Sequence, residues 1–342
     1  MFTIEYYKKE QFHLLKDKWE QLENGTDMTA YQSYAWYDML NKHYVPIDSK
    51  KQISRYALVK DDGKCIIIAP LWIVLRTFNF INRKGCYFLG KSGWSDYLNF
   101  IYNEFNIEAL SFLFDDLAKR FNVKDFIFES LLKHTHAYEH LSKFPRSQTI
   151  GDGIAVELQM PKTIESFKQL LSKNTRQNIR TAHNRLAKDG IDLKIIYDDL
   201  NIDKDECWRI REERFLTKFK KISRLRKLKY WVMRKLTFHF KSFLPFYTFE
   251  KGHFLTTYHG DIICSFFYYL HDNKHRQILV LAAGVNSEYS KYSPGFISLF
   301  DFINNLITQG NVDVVDFTLG DEKYKYSIGG KNKLVNGVRI KQ

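Results

Sequence analysis

Apolar and polar positions divide the chain into short β-type runs and amphipathic stretches, most clearly between Gln277 and Ile328. Gln277–Val285 is an almost continuous apolar run. A polar loop, Asn286–Ser293, leads to Pro294-Gly295. Apolar residues then return at Phe296, Ile297, Leu299, Phe300, Ile303, Leu306 and Ile307. Steps of three and four predict a helix over 296–308 with one buried face. Val312–Phe317 predicts the next strand, and a charged, aromatic tail, Thr318–Tyr326, follows it. Pro294 suits a first helical turn, where its missing N–H costs nothing. Gly295 lets backbone approach a ligand closely. The N–H groups of the turn that follows would suit a phosphate or pyrophosphate. A plain strand–turn–helix connection explains the same pattern.

The same reading predicts helices over 8–23 and 32–43, and strands over 55–59 and 64–75 joined by Asp61-Asp62-Gly63. A strand over 84–89, a loop over 90–96, a helix over 107–121, a strand over 123–129 and a short helix over 134–144 come next. Ile154–Met160 is strand-like and runs into Pro161, where a domain boundary is placed, giving 1–160 and 161–342. A helix broken near Asn174 covers 164–188, a strand 192–197, and a long basic helical stretch 202–243. Two strands then flank His259-Gly260-Asp261. The order repeats. Asp62-Gly63-Lys64-Cys65-Ile66 parallels His259-Gly260-Asp261-Ile262-Ile263, and the 110–128 helix–strand run parallels 297–317. A duplicated α/β unit with a mixed, mostly antiparallel sheet flanked by helices is expected.

Composition narrows the classes. Of the 342 residues 44% are hydrophobic, enough for real cores and against global disorder. No apolar run reaches membrane-spanning length, and Met1–Glu10 lacks the apolar segment of a signal peptide. Cys65, Cys86, Cys207 and Cys264 show no paired spacing, which fits a reducing cytoplasm. The net charge is +13, and it is concentrated: Arg209–Lys241 holds thirteen Arg and Lys against Glu212 and Glu213. That stretch predicts a polyanionic partner, an anionic membrane surface or tRNA, or else a solvated basic face. Apolar positions recurring through it by three and four predict one buried side.

Some residues invite chemistry. Asp316 lies in a strand of Val and Phe, and burial there would raise its pKa toward that of a useful base. Asp316, Glu322 and Lys325 form the candidate catalytic set, with Tyr324 beside them, facing a groove between the domains; a structural ion-pair cluster is the other reading. Gly284 would allow the strand before the loop to distort and present a backbone N–H. Trp94, Asp96 and Tyr97 form an aromatic-flanked carboxylate suited to a sugar or amine, or an exposed loop with one aromatic anchor. Arg176, Arg180 and Arg185 lie near one helical face and suit a phosphate, a nucleotide-sugar or the acceptor. His136 and His140 are four apart but lack a metalloprotease pattern or further ligands, so no metal is expected. No Gly-x-Ser-x-Gly elbow, Walker loop or dinucleotide fingerprint is present.

Four motifs occur in an order that resembles a known group. Tyr31-Gln32-Ser33-Tyr34-Ala35-Trp36, Ser95-Asp96-Tyr97, the Arg-rich run from Ser172 to Gly190, and Asp316-Phe317-x-x-Gly320-x-Glu322-x-Tyr324-Lys325 are similar to the landmarks of GNAT-type acyltransferases of bacterial polysaccharide clusters, the cellulose-biosynthesis (CelD-like) group. The resemblance implies two tandem GNAT-like domains, as in the Fem-type aminoacyltransferases. It implies transfer of an acyl group from acyl-coenzyme A to an amine or hydroxyl of a sugar nucleotide or envelope-polysaccharide precursor, with aminoacyl-tRNA as the Fem-type alternative donor. A non-catalytic polyanion-binding protein on the same fold is a further alternative. Coenzyme A would be held by Gly284, Val285, Tyr292, Ser293, Gly295 and Phe296. In place of the common phosphate loop, Gln/Arg-x-x-Gly-x-Gly/Ala, this chain has Tyr292-x-x-Gly295-x-Ile297. The implied setting is cytoplasmic, at the inner face of the membrane.

Overall fold

The computed structural model describes residues 1–78, 81–90, 94–219 and 245–341. The chain forms two compact units, 1–155 with 333–342, and 156–332. This differs from the expected division at two places. The boundary falls inside a strand, between Ala155 and Val156, and the last strand lies with the first unit.

In the first unit, β1 (Phe2–Tyr7), β2 (Gln52–Asp61), β3 (Lys64–Phe78) and β4 (Ile81–Phe88) are antiparallel neighbours. Asp62 and Gly63 both take positive φ, as a two-residue hairpin turn requires. α1 (Lys16–Leu22) and α2 (Tyr34–His43) precede the hairpin. After β4 comes α3 (Ile107–Phe121), capped by the Asn106 side chain at one end and a left-handed Asn122 at the other. β5 (Val123–Leu132) then returns parallel to β4. Such a return requires a long crossover, and α3 supplies it. α4 (His136–Leu141) leads into β6 (Ser147–Gln159).

The final strand, β12 (Lys331–Lys341), pairs antiparallel with β5 from Val335↔Leu132 to Lys341↔Asp125. Arg339 adds two hydrogen bonds to the buried Asp125 carboxylate, at 2.8 and 3.1 Å. These contacts between residues some two hundred apart are why the C-terminal strand leaves the second unit. The core between α1, α2 and the sheet is aromatic. Phe12 stacks on Tyr34, and Trp19 packs against Tyr37 and Tyr56.

The second unit repeats the plan. After the C-terminal half of β6, α5 (Ile164–Leu170) and α6 (Lys173–Asp189) break at Leu171–Ser172, where Ser172 caps α6 and Gly190 ends it with φ +64°. β7 (Lys194–Ile196), β8 (Gly252–His259), β9 (Ile262–Asp272) and β10 (Gln277–Val285) are antiparallel neighbours. α7 (Lys204–Phe219) lies between β7 and β8 in sequence. α8 (Pro294–Gln309) crosses to β11 (Val314–Leu319), which is parallel to β10. A short helix, α9 (Lys323–Ser327), precedes β12. Hairpin, third antiparallel strand, crossover helix and parallel strand therefore recur in both units. The apolar face expected for α8 is buried through Leu299, Phe302, Ile303 and Leu306 against strands β8–β11 and Phe167 of α5. The α/β fold with mixed, mostly antiparallel sheets flanked by helices is as the periodicity predicts.

The basic stretch expected over 209–241 lies outside the described residues beyond Phe219. Among the described residues, no helix is long and apolar enough to cross a membrane.

Gly25 marks a tight point of the first unit, because an added Cβ would lie 2.1 Å from the Tyr102 carbonyl oxygen. Gly25→Ala should destabilise that unit by about 1–3 kcal/mol in urea unfolding, the usual cost of overpacking. An unchanged midpoint would show that the backbone yields freely there.

Candidate functional site

The second unit's site begins where two parallel strands part. β10 pairs with β11 only at Gln277↔Val314, Ile278↔Val315 and Leu279↔Asp316. Against β9 the register shifts between Val280 and Ala282, leaving Leu281 as the extra residue of a bulge. β10 runs on to Val285 beside β9 alone. α8 starts next to that free end. Pro294 occupies its first turn, and Ser293, at φ +53°, is an N-cap with no side-chain capping bond. The Ser293 carbonyl accepts from the Phe296 and Ile297 N–H groups, at 3.0 and 3.1 Å. A Cβ on Gly295 would lie 3.1 Å from Val285 Cγ2, so glycine lets the helix start close against the strand end.

Two adjoining cavities open there, sharing Ser293, Phe296 and Tyr324. The first, about 310 Å³, is mostly apolar and is completed by Phe267, Ala283, Val285, Ser290 and Gly295. The second, about 360 Å³, has a mixed lining, more polar than the first, and is walled by Thr175, Asn178, Thr181, Ala182 and Arg185 of α6, with Ser327. Val285, Ser293, Gly295 and Phe296, expected together around coenzyme A, lie in one lining with Tyr324, expected with the charged tail. Gly284 faces the other side of the sheet, where its Cβ would meet the Phe266 ring and Ile210 of α7. Tyr292 is buried, and its hydroxyl donates to Asp189 at 2.6 Å, away from the cavities.

The arginines of α6 divide in role. Arg176 donates to the Lys168 and Leu171 carbonyls, at 3.1 and 2.8 Å, and so closes the end of α5. Arg180 is exposed and belongs to neither cavity lining. Arg185 lines the more polar cavity and donates to the Lys291 carbonyl at 3.0 Å. Asn178 and Thr181 were not singled out from the sequence as site residues, although their spacing of three and four aligns them with Arg185 on one helical face. Phe267 gave no local signal, because its place depends on strand register.

Asp316 and Lys325, read from the sequence as groups of the reacting centre, line neither cavity. Asp316 is fully buried; its carboxylate accepts the Thr318 N–H at 2.7 Å and the Gln277 amide at 3.5 Å. Thr318 sits at φ +54°, a conformation that costs about 1–3 kcal/mol for a side chain of this kind. Its hydroxyl donates to the Val280 carbonyl at 2.9 Å, at the β10 bulge. The Lys325 ammonium is 3% exposed and reaches the carbonyls of Thr318, Leu319 and Gly320 at 3.0–3.3 Å, and Glu322 at 3.0 Å. Tyr324, the next residue back, faces the cavities instead, with its ring near Phe267 and Phe317.

Trp94, Asp96 and Tyr97 belong to the first unit. Trp94 stacks on Tyr44 with ring centroids 3.9 Å apart, and Trp36 donates to Ser95 at 2.8 Å. Tyr97 is buried edge-on to Tyr31 and accepts from Gln32 at its carbonyl. Asp96 is partly exposed. The two aromatic motifs of this half thus pack mainly on each other. His136 leans on the buried Asp27 at 3.0 Å, and His140 stacks on Phe105. Among the described residues, no group of three or more His, Cys, Asp or Glu could hold a metal ion.

Residues 173–326 match the family model described as an acetyltransferase (GNAT) domain. The second unit carries that acyltransferase domain. No curated protein matches the chain in sequence. Among solved structures, FemX resembles it with a TM-score of 0.63 at 10% identity, over 99% of this chain and 97% of that one. The C-terminal domain of a protein described as a lysylphosphatidylglycerol synthetase, from Agrobacterium fabrum, gives 0.52 at 11% identity over 94% and 92%. A conserved protein of unknown function from Bacteroides thetaiotaomicron gives 0.54 at 11% over the full length of both. These likenesses establish a shared GNAT-like fold.

Asp189 joins α6 to the turn before α8. Its hydrogen bond from Tyr292, and then that from Lys291, hold its carboxyl below the usual range. A carboxyl lowered by folding stabilises fully above its unfolded value, roughly 4, and loses that contribution as pH falls through the folded value. Asp189→Asn should therefore lower the thermal midpoint of the second unit near neutrality, and the difference should shrink as pH falls through the lowered folded value. A difference that persists unchanged into acid would reject the tie.

Proposed function

We propose that the second unit transfers an acyl group, in the simplest case acetyl, from acyl-coenzyme A to an amine or hydroxyl of a sugar nucleotide or envelope-polysaccharide precursor. One observation carries the reading: the start of α8, the free end of β10 and Tyr324 converge on one apolar cavity inside an acetyltransferase domain. The residues fit such a cosubstrate. The first turn of α8, with no side chain capping it, suits the pyrophosphate. Phe267, Ala283, Val285 and Phe296 suit the pantetheine arm and a short acyl chain. Beyond Leu279 no backbone ladder joins β10 to β11, and the Thr318 hydroxyl takes only the Val280 carbonyl, so backbone N–H groups farther along β10 can polarise the acyl carbonyl. Acyl-coenzyme A supplies an activated thioester; the acceptor would approach from the more polar cavity, with Tyr324 on the wall common to both. The saccharide acceptor is supported by the Asp316–Lys325 tail motif, which resembles the polysaccharide-cluster enzymes.

A second reading, aminoacyl transfer from tRNA, is favoured by the basic stretch over 209–241 and by the likeness to FemX along nearly the whole chain. In the first reading the same basic charges would face anionic lipid at the inner membrane surface, where a lipid-linked precursor is met. Calorimetry with acetyl-coenzyme A, set against titration with bulk tRNA and anionic vesicles, separates these partners.

Ser293→Asp gives the sharpest test of the cosubstrate. Aspartate tolerates the left-handed backbone at this position and its charge suits the positive end of the helix, so α8 should keep its stability. The new charge would face the pyrophosphate and should weaken acetyl-coenzyme A binding by about tenfold or more, while Ser293→Asn should bind nearly as the unaltered protein does. Equal affinity in all three would place the pyrophosphate elsewhere.

A further inference from the structure

The tail of the second unit holds a buried cation whose donors are all directed at the protein. The Lys325 ammonium donates its three N–H groups to three successive carbonyls at the end of β11, at 3.0–3.3 Å, and forms an ion pair with the Glu322 carboxylate at 3.0 Å. Those carbonyls belong to Thr318, Leu319 and Gly320, the point where the chain turns away from β10. Thr318 is left-handed, and Gly320 has φ +111°. Three consecutive carbonyls converging on one point repel each other unless a cation lies among them. From the other side, Asp316 accepts the Thr318 N–H and the Thr318 hydroxyl holds the Val280 carbonyl. The turn is thus gripped by an anion at its N–H and a cation at its carbonyls.

We propose that Lys325 is a positioning residue: its buried ammonium fixes the divergent end of β11 and thereby holds Tyr324 against the two cavities. This rests on the proposed acyl transfer only for its consequence; the positioning is a property of the free protein. Lys325 and Tyr324 are adjacent in the one-turn helix α9, so their side chains leave it in different directions. One enters the carbonyl cluster, and the other enters the wall shared by the cavities. α9 is too short to hold its own geometry. Its backbone is tied at Gly330 N–H to Lys325 carbonyl, 3.0 Å, and at Ile328 N–H to Tyr324 carbonyl, 3.3 Å. Of its side-chain ties, Tyr326 donates to Asn332 at the exposed surface, 2.7 Å, whereas Lys325 enters the buried carbonyl cluster; the buried polar anchor is therefore Lys325. A proton-transfer role does not suit the same group, since it reaches neither cavity and its N–H groups are engaged.

The test uses the full-length protein with 3-fluorotyrosine placed only at position 324, observed by fluorine NMR, in the Lys325 and Lys325→Met forms. Acetyl-coenzyme A is the probe ligand. The unaltered protein should give one narrow resonance that moves on adding the probe. Lys325→Met should remain folded by circular dichroism, give a shifted or broadened resonance without ligand, and bind the probe about tenfold more weakly, the usual scale for stranding buried partners. In a double-mutant cycle with Tyr324→Ala, the affinity losses should be markedly less than additive, because both changes act through one ring. A folded Lys325→Met protein with an unchanged resonance overturns the positioning role, as do fully additive losses. If Lys325→Met does not fold, Glu322→Gln, which keeps the ammonium on its carbonyls, should leave the resonance narrow; broadening there would overturn the assignment to Lys325. Absence of probe binding by the unaltered protein would reject the coenzyme reading while the ligand-free resonance still decides the positioning.

Discussion

The parallel alignment of β10 and β11 governs the second unit. Two adjacent strands running the same way cannot be joined by a turn, so the chain must cross over the sheet. Here the crossover is α8, and its start necessarily lies at the C-terminal end of β10. The parallel register then stops after three residue pairs. A helix start, a free strand edge and an opening between strands are therefore delivered to one place by topology alone. The first unit makes the same crossover through α3, between β4 and β5, with an Asn-capped helix start in place of the Pro294-Gly295 turn.

Opening two strands exposes backbone polar groups that a continuous ladder would satisfy. The second unit meets that demand with side chains. Thr318 returns a hydroxyl to β10, Asp316 takes the strained N–H, and Lys325 gathers the carbonyls. Burying an ammonium is costly unless its N–H groups find strong acceptors, and three carbonyls with a carboxylate meet that condition.

The parts of this arrangement that depend on local periodicity were legible in the sequence. The strand, the Pro294-Gly295 turn, the α8 face and the repeat of hairpin and crossover all follow from spacing within a few residues. The charged residues of the tail were a different matter. In sequence a carboxylate amid Val and Phe, or a lysine beside two tyrosines, suggests chemistry; whether its hydrogen bonds end on backbone depends on a turn that only the folded chain defines. The same limit applied to Trp94 and Tyr97, whose aromatic character fits a sugar platform as well as a core, and to Arg176, which closes a neighbouring helix. The transfer of β12 to the first unit had no local sign, because strand partners are chosen by register across the whole chain.

That last strand has a consequence during synthesis. β12 takes its place between β5 and the first half of β6, so the slot it fills stays vacant until residues 156–332 have been added. At ribosomal rates of about 5–20 residues per second, that interval is roughly 9–35 s. Throughout it β5 presents an unpaired edge, the kind of surface that invites pairing with another chain. The sheet of the first unit therefore closes only when Lys331–Lys341 becomes available, long after its other strands.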